Sequence, residues 1–412
     1  MEYAPRLVDA QLEAALRRAG AVVLEGPKAC GKTTTGQRLA ASAIRLDVRP
    51  DLRRAAQTDP ATAIEGTTPR LIDEWQLVPD LWNTVRAAVD ERQADGQFIL
   101  AGSATPKEDL TRHSGAMRFA FVRMQPMSLA ESGHSTSTVS LSALWAGKPV
   151  NSACDAASIG ELAQIVCAGG WPSNQRRPLA DAMAANHDYL RTVGGADIVT
   201  VDGVRHDPRR VAALLFAYAR ASATYVTSRS LEADTALYGQ PVTTKTVSAY
   251  TDALVRLWTV VEQPAWGGHL RSRAQVRKSP KWHLADPSLA AAALGATPQA
   301  LTDDPEAFGQ LFESLVFRDL TAYAQVNETE VRAFSEGDNE IDAVLVHGVQ
   351  WAGVEAKLSP HPTVIDAAAA KLVRISARMS RPPRFLAIVT GTGASYTRPD
   401  NVHVISIRHL GP

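Results

Sequence analysis

Short apolar runs separated by amphipathic stretches fill the first third of the chain, a pattern that predicts parallel strands wrapped by helices. The runs fall at 21–25, 44–48, 70–73, 98–101 and 119–124. A Ser/Thr-rich stretch at 132–142 breaks the periodicity and reads as a domain edge. Alanine-rich helical sequence then continues to about Trp282. Within it, Val211, Leu214, Leu215 and Tyr218 recur at helical spacing. Val247, Tyr250 and Leu254 mark a second amphipathic helix that leaves Lys245, Ser248 and Thr251 outward. That helix starts after Thr243 and Thr244 and runs into a strand-like segment at 257–261, as a recognition helix followed by a wing would. From Phe308 the pattern becomes a helix, three short strands, a helix at 363–379 and strands at 385–389 and 402–407. The expected segments are 1–135, 136–200, 201–285 and 286–412.

The length of 412 residues suggests two to four folded units at about 150 residues each. With 45% hydrophobic and 21% charged residues, ordinary cores are expected and wholesale disorder is excluded. Lys plus Arg and Asp plus Glu each number 43, so any anionic partner must be held locally rather than by a global basic field. Cys30, Cys154 and Cys167 show no CxxC spacing, which argues against a disulfide framework or a structural zinc. No apolar run is long enough to span a bilayer, and residues 1–10 lack the basic and then apolar pattern of a secretory signal. A cytoplasmic location without a membrane partner is expected.

Residues 26–33, Gly-Pro-Lys-Ala-Cys-Gly-Lys-Thr, match GxxxxGK[ST] between a strand and a helix. In such a loop the amides of Gly26, Pro27, Lys28, Ala29, Cys30, Gly31, Lys32, Thr33 and Thr34 are the candidates to surround phosphate oxygens, proline aside, which offers only its shape. Lys32 would neutralise the terminal phosphates of ATP and Thr33 would ligate Mg2+. Asp73 and Glu74 end the 70–73 run; Asp73 would hold the hydrated cation and Glu74 would orient or deprotonate the attacking water. Ser103, after the next strand, is placed as a sensor between water and phosphate. Arg112, Arg118 and Arg123 are candidate arginine fingers, with Arg118 ranked first. An arginine acting in trans would require a homo-oligomer. Cys30 reads as a loop filler.

These motifs, with Ile72-Asp-Glu-Trp-Gln76, Pro126-Met-Ser-Leu-Ala-Glu131 and Gly169-Gly-Trp-Pro172, resemble the bacterial and archaeal AAA-type ATPases that end in domain of unknown function 4143. The resemblance implies an α/β fold: an AAA-type P-loop NTPase core with a parallel sheet, then a helical and winged-helix segment, then a nuclease-like α/β end. Where the family commonly has Gly-Arg before the fifth strand, this chain has Met117-Arg118. Between His269 and His283 lie Arg271, Arg273, Arg277, Lys278 and Lys281 with no acidic residue, a candidate contact for the phosphates of double-stranded DNA.

Near the C-terminus, Gly348-Val349 suits a two-residue type II′ hairpin. Pairing His347 with Gln350 sets Asp342 opposite Glu355 and puts Lys357 on the same face. Two facing carboxylates call for a cation between them, with the lysine orienting or activating a water. The element order resembles the PD-(D/E)xK nuclease fold; Asp342, Glu355 and Lys357 match its signature and Glu313 its additional acidic position, implying Mg2+ or Mn2+ there. Glu340 is expected on the opposite face and solvated. Two functions remain open: an ATPase controlling a DNA-engaging or DNA-cleaving end, or an ATP-dependent switch with an inactive nuclease-like platform.

Overall fold

The computed structural model of the chain describes residues 3–104, 115–155, 158–199, 206–268 and 279–412. It divides into two compact units: Met1–Pro126 with Ala196–Arg205 and Ala253–Thr259, and Met127–Gly195 with His206–Asp252 and Val260–Pro412. These boundaries depart from the expected segments. The second unit gathers stretches on both sides of the positions where the sequence pattern changes.

The first unit is built on five parallel strands, β1 (Ala21–Glu25), β2 (Ser42–Arg45), β3 (Arg70–Asp73), β4 (Phe98–Ala101) and β5 (Phe119–Arg123), in the order β2-β3-β4-β1-β5. Strands buried on both faces need no alternation, which is why Ala21–Leu24 and Phe98–Ala101 are continuous buried apolar runs. β2 lies two residues earlier than the apolar run at 44–48 suggested, because backbone pairing of Ser42 with Arg70 sets its start. β4 separates the strand leading into the phosphate loop from the strand that ends in Asp73. All five strands run the same way, so their C-terminal ends converge on one edge, where ligands bind in open α/β sheets.

In the second unit, β6 (Val139–Ser140) lies within the Ser/Thr-rich stretch, and β7 (Asn151–Asp155) interrupts what the sequence suggested was helical. Helix Pro208–Arg220, β8 (Thr224–Tyr225), helix Ser228–Leu237, helix Thr244–Arg256, β9 (Val260–Gln263) and β10 (Lys281–Leu284) follow, with the strands in an antiparallel sheet ordered β8-β10-β9. Lys245 and Ser248 are exposed as expected. Thr251 is not outward: it is half-buried and shares a 2.9 Å hydrogen bond with Tyr218 Oη.

The 22-residue helix Pro305–Val326 leads into β11 (Glu330–Glu336), β12 (Asn339–His347) and β13 (Gln350–Lys357). Helix Pro362–Ser376, β14 (Leu386–Thr390), β15 (Gly393–Thr397), β16 (Val402–Ser406) and β17 (Leu410–Gly411) complete the chain. The large sheet has the order β11-β12-β13-β14-β16-β15-β7, with β13, β14 and β16 parallel. Its β12–β13 hairpin has the expected register, His347 opposite Gln350, and Gly348 takes φ 59° at the first turn position. Ile341, Val344 and Trp351 pack with Ile365, Ala369 and Leu372 of the following helix.

A buried ion-pair hub organises the motifs Pro126-Met-Ser-Leu-Ala-Glu131 and Gly169-Gly-Trp-Pro172. Arg318 donates from Nη1 to Asp286 Oδ2 at 2.7 Å and from Nη2 to Asp319 Oδ1 at 2.7 Å. The remaining carboxylate capacity accepts backbone amides: Leu129 N to Asp319 Oδ2 and Gly170 N to Asp286 Oδ2, each 3.0 Å. Ser128 and Glu131 close a local turn, with Glu131 Oε2 accepting from Ser128 N at 2.8 Å. The charges of Arg318 and Asp319 are thus buried but paired and hydrogen-bonded, the condition for retaining them in a core.

Candidate active site

The phosphate loop leaves β1 at Gly26, which has φ 145° and passes so close to β5 that a Cβ would lie 2.2 Å from Met124 O. Ala29 (φ 61°) and Gly31 (φ 107°) continue the curl into helix Lys32–Leu39. Arg6 braces the loop from outside, donating to Cys30 O at 2.6 Å and Gln125 O at 2.8 Å. Cys30 is fully buried with Sγ 3.9 Å from Met124 O, consistent with a packing role. Lys28 pairs with Asp197 at 2.5 Å, while Thr34 is exposed.

Lys32 is buried, and its ammonium donates to Gly26 O at 2.8 Å and Pro27 O at 2.7 Å. Among the described residues it has no carboxylate partner. A buried cation held only by neutral carbonyls suits an incoming anion.

Thr33 Oγ1 donates to both carboxylate oxygens of Asp73, each at 3.0 Å, so the two side chains expected to flank Mg2+ already meet. Burial raises the Asp73 carboxyl to about 6, and Glu74 adds to the rise; Arg45, 3.6 Å away, acts against it. A hydroxyl beside a desolvated carboxylate is an oxygen donor set that fits Mg2+, which would take its other ligands from phosphate and water. Beside it, Ser103 Oγ donates to Glu74 Oε2 at 3.0 Å, and Gln76 Nε2 donates to the same oxygen.

The arginine candidates separate by position. Arg118 does not approach the phosphate loop of its own chain. It precedes β5 at the N-terminal end of the sheet, where its carbonyl accepts from Ala21 N and its side chain pairs with Asp90 at 2.8 Å. Arg123 pairs in register with Glu25 at the loop end, its guanidinium 4.1 Å from the Trp258 ring centroid. Arg112 lies outside the described residues.

The C-terminal carboxylates also converge, but around lysines. Lys281 Nζ lies 2.6 Å from Glu313 Oε1, 2.5 Å from Glu340 Oε1 and 3.8 Å from Asp342 Oδ1. Lys357 Nζ lies 2.9 Å from Glu355 and 3.4 Å from Asp342, and Lys371 Nζ is 2.9 Å from Glu355. Burial opposes the Lys281 charge, yet Glu313, Asp342 and Glu340 outweigh it and raise its pKa. Burial likewise opposes ionisation of Asp342, where Lys357, Lys281 and Lys371 prevail and lower its pKa; at Glu355 burial and the Asp342 charge prevail and raise it.

Three expectations are corrected here. Among the described residues no three His, Cys, Asp or Glu side chains converge as a metal site, and an ammonium occupies the space between Glu313, Glu340 and Asp342. Lys281 is buried rather than available to a nucleic acid. Glu340 is two residues from Asp342 and therefore on the same strand face, where it pairs with Lys281. Arg271, Arg273, Arg277 and Lys278 lie outside the described residues. Sequence reasoning missed Lys371 and the Lys281 pairing; Lys371 sits on the face of its helix carrying Ala368, Leu372 and Ile375, a position open to a helical-wheel reading.

Residues 18–133 match the family model of an AAA domain, residues 159–300 that of domain of unknown function 8612, and residues 308–410 that of domain of unknown function 4143. The chain therefore carries an AAA-type ATPase domain, which binds and hydrolyses ATP, followed by a domain of unknown function 4143. Uncharacterised proteins of Mycobacterium tuberculosis and Mycobacterium bovis are each 26% identical over 363 residues, covering 86% of this chain and 74% of theirs. Among solved structures, the Walker-type ATPase PABY2304 of Pyrococcus abyssi is similar with a TM-score of 0.40 and 14% identity, over 69% of this chain and 94% of that one. No helix among the described residues is long and apolar enough to cross a membrane.

Proposed function

We propose that this protein is a Mg2+-dependent ATP switch whose nucleotide state sets its engagement of double-stranded DNA, with the nuclease-like C-terminal fold acting as a binding platform. In this reading Lys32 and the loop amides hold the phosphates, and Thr33 and Asp73 hold Mg2+. Glu74 orients the attacking water, and Ser103 links it to the phosphate. The observation that carries the platform reading is the Lys281 ammonium set among Glu313, Glu340 and Asp342, where phosphodiester cleavage would need a divalent cation. DNA contact is supported by the helix, strand, helix, helix, strand, strand order of the middle segment, which resembles a winged helix, and by exposed Lys245 and Ser248. A homo-oligomer would let Arg118, which is distant from its own phosphate loop, act on a second copy.

The test is ATP turnover with and without double-stranded DNA, beside incubation of plasmid with Mg2+ or Mn2+. Stimulated turnover and intact plasmid are expected. Unchanged turnover would remove the DNA coupling, and nicking abolished by Asp342→Ala would replace the platform with a nuclease.

A further inference from the structure

Gln76 lies three residues beyond Asp73, and no part of the reading above uses it. Its side-chain amide touches both groups proposed to handle water: Nε2 donates to Glu74 Oε2 and lies 3.4 Å from Ser103 Oγ. Ser103 Oγ donates to the same Glu74 oxygen, so the three side chains form a closed set around one carboxylate oxygen. The amide orientation follows from this set, because a carboxylate accepts only from the nitrogen. Glu74 itself has φ 56°, a left-handed conformation at which its side chain leaves the strand end in a direction that sheet geometry does not fix.

A second observation points the same way. Gln76 Oε1 is buried without a hydrogen-bond partner among the described residues. It faces Gly102, where a Cβ would stand 2.6 Å from it and 2.9 Å from Trp75 Nε1, so the residue before Ser103 leaves room for this amide. A buried acceptor beside a fixed carboxylate suits a donor that arrives with the substrate, and water is the donor the reaction requires.

We infer that Gln76 is a positioning residue for ATP hydrolysis, setting the Glu74 carboxylate through its amide nitrogen and offering its carbonyl to the attacking water. The inference rests on the proposed role of Glu74. Hydrolysis breaks the terminal phosphoanhydride bond as water oxygen bonds phosphorus; the water proton passes toward Glu74 and the electron pair leaves with ADP.

The experiment measures steady-state ATP turnover and calorimetric ATP affinity for Gln76→Met, Gln76→Glu, Glu74→Gln and the Glu74→Gln/Gln76→Met pair in the full chain. Gln76→Met keeps the shape without hydrogen bonds; it should lower kcat by about tenfold or more, with KM and ATP affinity within about twofold. Gln76→Glu should lose turnover similarly through repulsion of Glu74, which guards against a packing defect peculiar to methionine. In the Glu74→Gln background, Gln76→Met should add little. Full turnover in Gln76→Met with turnover lost in Glu74→Gln overturns the role of Gln76 alone. Turnover retained in Glu74→Gln overturns the reading of Glu74 itself. Equal falls in kcat and ATP affinity would mark a structural role and also overturn the inference.

Discussion

The protein contains two carboxylate clusters made from the same side-chain types and prepared for opposite tasks. At the phosphate loop, Asp73 and Glu74 are met mainly by hydroxyl and amide donors, with one arginine 3.6 Å from Asp73. Beside the C-terminal sheet, Glu313 of the preceding helix and Glu340, Asp342 and Glu355 of the strands are met by Lys281, Lys357 and Lys371. The first cluster leaves positive charge to be supplied by a ligand; the second holds its own. A signature that counts acidic positions cannot distinguish them, because the difference lies in what faces the acids.

The largest effect should come from Lys32→Ala. It removes the cation that meets the phosphates and should reduce ATP turnover by at least about a hundredfold, read by phosphate release. Lys281→Met tests the other cluster. Removing one partner of a buried ion pair should cost about 3–5 kcal/mol of stability in chemical denaturation. The deprived carboxylates should then respond to Mn2+ with a rise in Tm that the parent chain does not show. A rise of equal size in both would erase the contrast between the clusters.

Asp73 gives a finer test through pH. Its carboxyl is raised by burial to about 6, so its favourable contribution to folding is complete below the unfolded value of about 3.9 and is lost as pH climbs through 6. Above that, without nucleotide, Asp73→Asn should stabilise the chain by about 1–3 kcal/mol. Protonation competes with Mg2+, so turnover should fall as pH drops below about 6, approaching tenfold per unit. The smallest effect is expected from Lys371→Met, about 1–2 kcal/mol of stability, because Glu355 retains Lys357 at 2.9 Å.

The sequence was most informative where chemistry and local geometry coincide. β1, β3 and β4 have the expected bounds because buried parallel strands are contiguous apolar runs, and the Gly348 turn fixes the hairpin register that brings Asp342 toward Glu355. The lysines around those carboxylates were harder to find. Lys281 reaches them from β10, 32 residues before Glu313, and in sequence it belongs to a basic stretch that reads as a contact for DNA phosphates. β7 was hidden for a related reason: Asn151–Asp155 has no apolar alternation, since an edge strand is secured by backbone pairing with β15 as much as by its side chains. The place of Gln76 was invisible because it depends on the left-handed turn at Glu74.

β7 also bears on how the molecule can be taken apart. It covers the outer side of β15, and β6 pairs with the terminal β17, so two strands from before residue 156 finish the architecture of the last hundred residues. A fragment beginning at 286 would therefore emerge with a raw β15 border, ready to recruit a strand from any neighbour and drift into aggregates. Dissection should instead retain residues 127–195 with the C-terminal portion, and biochemists should distrust negative binding results from shorter pieces.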